Sequence, residues 1–113
     1  MVTIYHNNRC RKSREGLEIL EKSGKDFKIV KYLEDVPSSN ELKDIIKLLG
    51  IKPIDLVRKT ESIWKENFKN KKLSDAEIIK AMVDNPKLIE RPIIINGNKA
   101  VIGRPPELIL NII

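Results

Sequence analysis

One cysteine occurs in the 113 residues, and four basic residues crowd it. The stretch "HNNRCRKSRE" sets Arg9, Arg11, Lys12 and Arg14 around Cys10, with no acidic residue before Glu15. Such a thiol suits nucleophilic chemistry, because the thiolate is the reactive form and neighbouring positive charge favours it. His6, four residues earlier, adds to that effect when protonated. Ser13 stands where a two-cysteine C-x-x-C motif has its second cysteine. An oxidised Cys10 therefore has no partner in the chain and must be restored by an outside thiol. Three further arginines fall at apparent element boundaries: Arg58 in "IDLVRK", Arg91 in "LIERPIII" and Arg104 in "VIGRPPE". Guanidinium presents a planar fork of donors that matches an oxyanion.

The elements that must position these groups follow from pattern. Residues 2–5, "VTIY", read as a short buried strand, and "HNNRC" as a polar turn. A helix is predicted from Cys10 or Arg11 to Ser23, with Leu17 and Leu20 on one face and Gly24 as its stop. "FKIVKYL" (27–33) alternates and reads as a second strand, ended by Pro37. Ser38 with Glu41, and Ser74 with Glu77, form two capping-box patterns that open helices ending at Gly50 and before Pro86. Residues 54–68 read as short helical pieces. "RPIIIN" and "KAVIG" are strands joined at Asn96-Gly97, and "PPELILNII" reads as a closing helix with prolines in its first turn.

The order is thus β-α-β, a helical block, then β-β-α. A parallel pair with a crossover helix, extended by an antiparallel hairpin, makes a four-stranded mixed sheet of the thioredoxin type. The expectation is one α/β domain spanning 1–113 with a helical insertion over about 38–85. Cys10 then lies where a strand hands over to a helix. Free backbone N–H groups and the helix dipole there favour a thiolate and also suit phosphate or arsenate.

Composition narrows the classes. A hydrophobic fraction of 41% supports a folded core, and 4% aromatic residues make that core largely aliphatic. No apolar run reaches membrane-spanning length, no signal-peptide pattern opens the chain, and one cysteine allows neither an internal disulfide nor a cysteine-built metal site. A cytoplasmic setting is expected, with no metal and no membrane. The net charge of +6 is interleaved with acidic residues on apparent helices and comes without a stacking platform, so nucleic-acid binding is not expected.

Together, "YHNNRCRKSRE" and the three arginine strings resemble the ArsC family, the glutaredoxin-linked arsenate reductases, over essentially the whole chain. "AMVDNPKLIERPIII" and "GRPPE" resemble most its short YfgD-like branch. The resemblance implies a thioredoxin/glutaredoxin-like fold and a catalytic cysteine at Cys10 with His6 stabilising its thiolate. It implies oxyanion binding by Arg58, Arg91 and Arg104, and support of the active-site loop by Ser13 and Arg14. It also implies a cis bond between Arg91 and Pro92 that aims the arginine at the cysteine. The implied substrate is arsenate or a similar oxyanion, with no bound cofactor, glutathione as co-substrate and glutaredoxin as partner. Two departures stand out. The family commonly writes His-Asn-Pro-x-Cys where this chain has Asn8, which predicts a looser loop, and the C-terminal extension of the longer arsenate reductases does not follow Ile113. The same site suits a reductase of another oxyanion or of glutathione mixed disulfides. Spx-type regulators, which bind RNA polymerase, share the fold, but many carry C-x-x-C where this chain has C-R-K-S.

Overall fold

Strand β1 (Val2–Tyr5) turns Val2 and Ile4 inward and runs parallel to β2 (Phe27–Val30), with Val2 opposite Phe27 and Tyr5 opposite Val30. The computed structural model, which describes Met1–Ile113, joins these strands by helix α1 (Arg11–Ser23). That helix buries Ser13, Gly16 and Leu20, one face at helical spacing, and stops at Gly24, whose φ of +72° is left-handed. β3 (Ile93–Asn96) pairs antiparallel with β1, and β4 (Lys99–Ile102) antiparallel with β3. The hairpin turns through Gly97 and Asn98, with the glycine at φ +62° in the first central position. The strand order β2-β1-β3-β4 is the four-stranded mixed sheet of a thioredoxin-like α/β fold.

Val2, Ile4, Leu20, Ile94 and Ile109 form the core of this unit, which comprises Met1–Asp35 and Arg91–Ile113. Ile109 arrives from the C-terminal segment Pro106–Asn111, which is a 3₁₀ helix where an α-helix was expected. Two adjacent prolines withhold backbone donors at its start, and six residues are few enough for the tighter i→i+3 pattern, seen in Leu108 N–H to Pro105 O at 3.1 Å. β2 is also shorter than expected: the Lys31 carbonyl accepts N–H bonds from Glu34 and Asp35, which turns the chain away from the sheet. Tyr32 is fully buried in that turn. The Arg91-Pro92 bond is cis, and so is Arg104-Pro105, which the sequence did not suggest.

The second compact unit is Val36–Glu90, somewhat wider than the 38–85 expected for the helical block. It contains α2 (Ser39–Leu49), a 3₁₀ turn (Pro53–Leu56), α3 (Ser62–Asn67), α4 (Asp75–Asp84) and a second 3₁₀ turn (Pro86–Leu88). Both predicted caps form. The Ser38 hydroxyl accepts the Glu41 N–H at 3.1 Å, and Ser74 and Glu77 exchange bonds of 3.2 and 3.0 Å. Leu42, Ile45, Leu56, Ile78, Met82 and Leu88 are among its buried side chains.

Candidate active site

The segment from His6 to Cys10 is bonded at nearly every residue. His6 N–H donates to the Val30 carbonyl at 2.9 Å, carrying the β1–β2 ladder one residue beyond the strand. Asn7, buried, donates its N–H to Ser13 Oγ at 3.0 Å and accepts the Arg9 N–H on its side-chain oxygen at 3.0 Å. Its carbonyl accepts the Cys10 N–H at 3.0 Å. Arg14 Nη1 donates to the Asn8 carbonyl at 3.0 Å, so Asn8 is tethered from α1.

Ser13 is wholly buried, with its Oγ 2.6 Å from His6 Nδ1. That oxygen also accepts the Asn7 N–H, so Ser13 ties the His6 ring to the loop backbone. Burial is the main cause lowering the His6 pKa, helped by the positive charges of Lys31 and Arg14 and opposed by a hydrogen bond at the Ser13 backbone. The imidazole is therefore neutral near neutral pH. Burial and the neighbouring cations thus confine the protonated, thiolate-stabilising form of His6 to lower pH, and the ring packs against Ser13.

Cys10 is the N-cap residue of α1, extended at φ −95° and ψ 123°. Its carbonyl accepts the Arg14 N–H at 3.0 Å. Burial pushes the thiol pKa up, but donors converging on the sulfur outweigh it. They are the backbone N–H groups of Ser13 and Lys12 and the Arg91 guanidinium, which adds both a hydrogen bond and its charge. The net result is a thiol held below its ordinary pKa. Arg104 Nη2 lies 3.5 Å from Cys10 Sγ, while its Nε donates to the Arg91 carbonyl at 2.8 Å. One arginine thus braces the other, and both reach the thiol.

Pro92 is buried between α1 and Gly103. A Cβ on Gly16 would come within 3.0 Å of the Pro92 ring, and one on Gly103 within 2.9 Å. Gly103 N–H also donates to the Pro92 carbonyl at 2.8 Å. The backbone beside Arg91 is therefore fixed from two sides by glycines that leave no room for a methyl group.

The cations nearest in sequence are spent elsewhere. Arg11 Nε sits 3.2 Å and Lys12 Nζ 3.6 Å from the Glu15 carboxylate. Arg58 belongs to the Val36–Glu90 unit, where its N–H donates to the Leu88 carbonyl and its guanidinium lies 3.4 Å from Glu61 and 3.9 Å from Glu90. Beside the Cys10 loop a cavity of about 330 Å³ opens, lined by His6, Asn7, Arg9, Lys31 and Glu34 among others. No cluster of three or more His, Cys, Asp or Glu side chains is placed to hold a metal, and no helix is long and apolar enough to cross a membrane.

A family model described as the ArsC family matches residues 5–112. The chain belongs to the ArsC family. An arsenate reductase of Haemophilus influenzae is 48% identical over 114 residues, covering 99% of this chain and 98% of that protein. The Escherichia coli protein YfgD, described as uncharacterized, is 47% identical with 99% and 96% covered. A solved structure of an arsenate reductase from Vibrio cholerae superposes with a TM-score of 0.94 at 45% identity, covering 99% of this chain and 97% of that one.

Within this ArsC-family chain, sequence reasoning passed over Asn7. The signal was present: an asparagine two residues before Arg9 can bond its backbone and form an Asx turn. Arg104's second role, holding the Arg91 carbonyl, had no local signal at all.

Proposed function

We propose that the protein is a thiol-dependent reductase of the arsenate reductase type, with arsenate or a similar oxyanion as substrate. The observation that carries this reading is the convergence of Arg91 and Arg104 on a Cys10 thiol of lowered pKa at the N-terminus of α1. The same donors that stabilise a thiolate suit the oxygens of a bound oxyanion. Relatives bearing the name arsenate reductase support the choice of substrate.

In this mechanism Arg91 and Arg104 hold the oxyanion and offset its repulsion from the thiolate. Cys10 Sγ attacks arsenic(V), an S–As bond forms, and one oxygen departs as water. Reduction to arsenic(III) takes two electrons, and the chain offers a single thiol. Glutathione supplies the second: its thiolate attacks, arsenite leaves, and a mixed disulfide joins Cys10 to glutathione. A glutaredoxin thiol then takes over the glutathione sulfur and restores Cys10. His6, Ser13 and Arg14 act as positioning residues. A reducing compartment, the cytoplasm in this reading, keeps the glutathione supplied.

The test is NADPH consumption with arsenate, glutathione, glutaredoxin and glutathione reductase, comparing wild type with Cys10→Ser. Turnover that disappears in the variant is the expected result. A Cys10→Ser protein with near-normal turnover would overturn the scheme. A wild type inactive on arsenate but active on a glutathione mixed disulfide would reassign the substrate while keeping the nucleophile.

A further inference from the structure

A larger cavity lies away from the thiol chemistry, entirely within the Val36–Glu90 unit. It measures about 570 Å³, and its apolar wall is made by Ile54, Trp64, Leu73 and Ile78. Lys59, Lys65, Lys69 and Lys71 also line it, and all four are exposed. None of them is paired with a carboxylate of the chain, in contrast to Lys80, which sits 2.8 Å from Asp84. Trp64 is held in place by Phe68, whose ring stacks on it with centroids 5.6 Å apart. An apolar recess ringed by four unpaired lysines and a single carboxylate, Asp75, keeps a net positive rim, which is complementary to an apolar group flanked by anions.

The form of the positive charge distinguishes the ligand. A phosphate site gathers convergent donors, typically arginine forks and free helix N–H groups. Here the cations are lysines spread along residues 59–71, each a point charge on a flexible stem. The start of α4 contributes one carboxylate to the lining, Asp75, against four lysines, and Glu77 beyond it bonds the Ser74 N–H. Several carboxylates spaced along an extended chain fit that distribution better than one compact dianion. A volume of this size also admits a single large side chain with its flanking backbone.

We propose that this recess is a docking site for an acidic protein segment that inserts one aromatic or large aliphatic side chain beside Trp64. It is independent of the oxyanion chemistry assigned to Cys10.

Trp64 is the only tryptophan in the chain, so its emission reports the site directly. The experiment titrates the full-length protein with the peptide EDEFEDE, with EDEAEDE and KRKFKRK as controls and with phosphatidylglycerol vesicles as a separate arm. The expected result is a saturable change in Trp64 emission with EDEFEDE alone, weakened by added salt. The triple variant Lys65→Glu, Lys69→Glu, Lys71→Glu should bind about tenfold more weakly, as for the loss of a few exposed ion pairs. Its Cys10 alkylation rate should be unchanged. If charge reversal disturbs folding, the matching Lys→Gln triple variant carries the same comparison. The proposal fails if EDEFEDE gives no saturable response, if EDEAEDE binds equally well, or if the lysine variants bind like wild type. A response to vesicles without one to the peptide assigns the face to lipid and also overturns it.

Discussion

Cys10 is reactive because of what surrounds its sulfur, and the cations adjoining it in sequence are not the ones that matter. Arg11 and Lys12 turn to Glu15, while Arg91 and Arg104 come to the thiol. The rate of Cys10 alkylation by iodoacetamide plotted against pH should therefore have its midpoint below that of an ordinary thiol. Arg91→Ala and Arg104→Ala should each move that midpoint upward. Each variant should also lose roughly ten- to a hundredfold in oxyanion turnover, the scale of about 1.5–3 kcal/mol for a hydrogen bond to a charged group. His6 yields a second expectation. Its folded-state pKa is depressed, so below the ordinary imidazole value of 6.5 the unfolded chain binds a proton that the native protein refuses. Stability should fall as pH drops through 6.5 toward the folded-state value, and His6→Gln should abolish that part of the decline. Urea midpoints across this range measure it, and the single histidine of the chain makes the proton assignment unambiguous by NMR. Cys10 was legible in the sequence as a lone thiol among basic residues, whereas Arg91 and Arg104 stood out only through the family resemblance. The lowered pKa of His6 was not legible, since it depends on burial and on Lys31, a residue from beyond the next strand.

At the scale of elements, sequence and structure agree most closely where local chemistry decides the outcome. Ser38 and Ser74 cap their helices as their spacing predicts, and Gly24 and Gly50 end theirs in left-handed backbone. Ser74→Ala should cost about 1 kcal/mol in denaturant unfolding while leaving Cys10 reactivity unchanged. The C-terminal segment was misread as an α-helix because apolar spacing alone does not report the donors its prolines lack. The tight seat of Pro92 was invisible for a different reason: Gly16 and Gly103 have no side chain to carry a pattern. Gly103→Ala should destabilise the protein by about 1–3 kcal/mol through overpacking against Pro92. The same variant should raise the Cys10 alkylation midpoint, because the shifted ring carries Arg91 with it. A stability loss with an unchanged midpoint would show that the seat of Pro92 does not position the arginine.

Across the whole chain, the order β-α-β, helical block, β-β-α was readable from sequence, because each element announces itself within a dozen residues. The pairing of Cys10 with Arg104 was not, since the two lie 94 residues apart and no local pattern records such a meeting. The thiol unit is discontinuous, built from Met1–Asp35 and Arg91–Ile113. Its α1 rests on the last segment as well, through Gly16 against Ile109. A chain truncated after Glu90 should accordingly show an ordinary alkylation profile at Cys10, and one that kept the lowered midpoint would show that α1 suffices alone. During synthesis the cysteine leaves the ribosome early, and its arginines follow on the order of ten seconds later at typical elongation rates. For that interval the nascent thiol has the reactivity of an ordinary cysteine, and its heightened sensitivity to oxidants arrives only with the last segment of the chain.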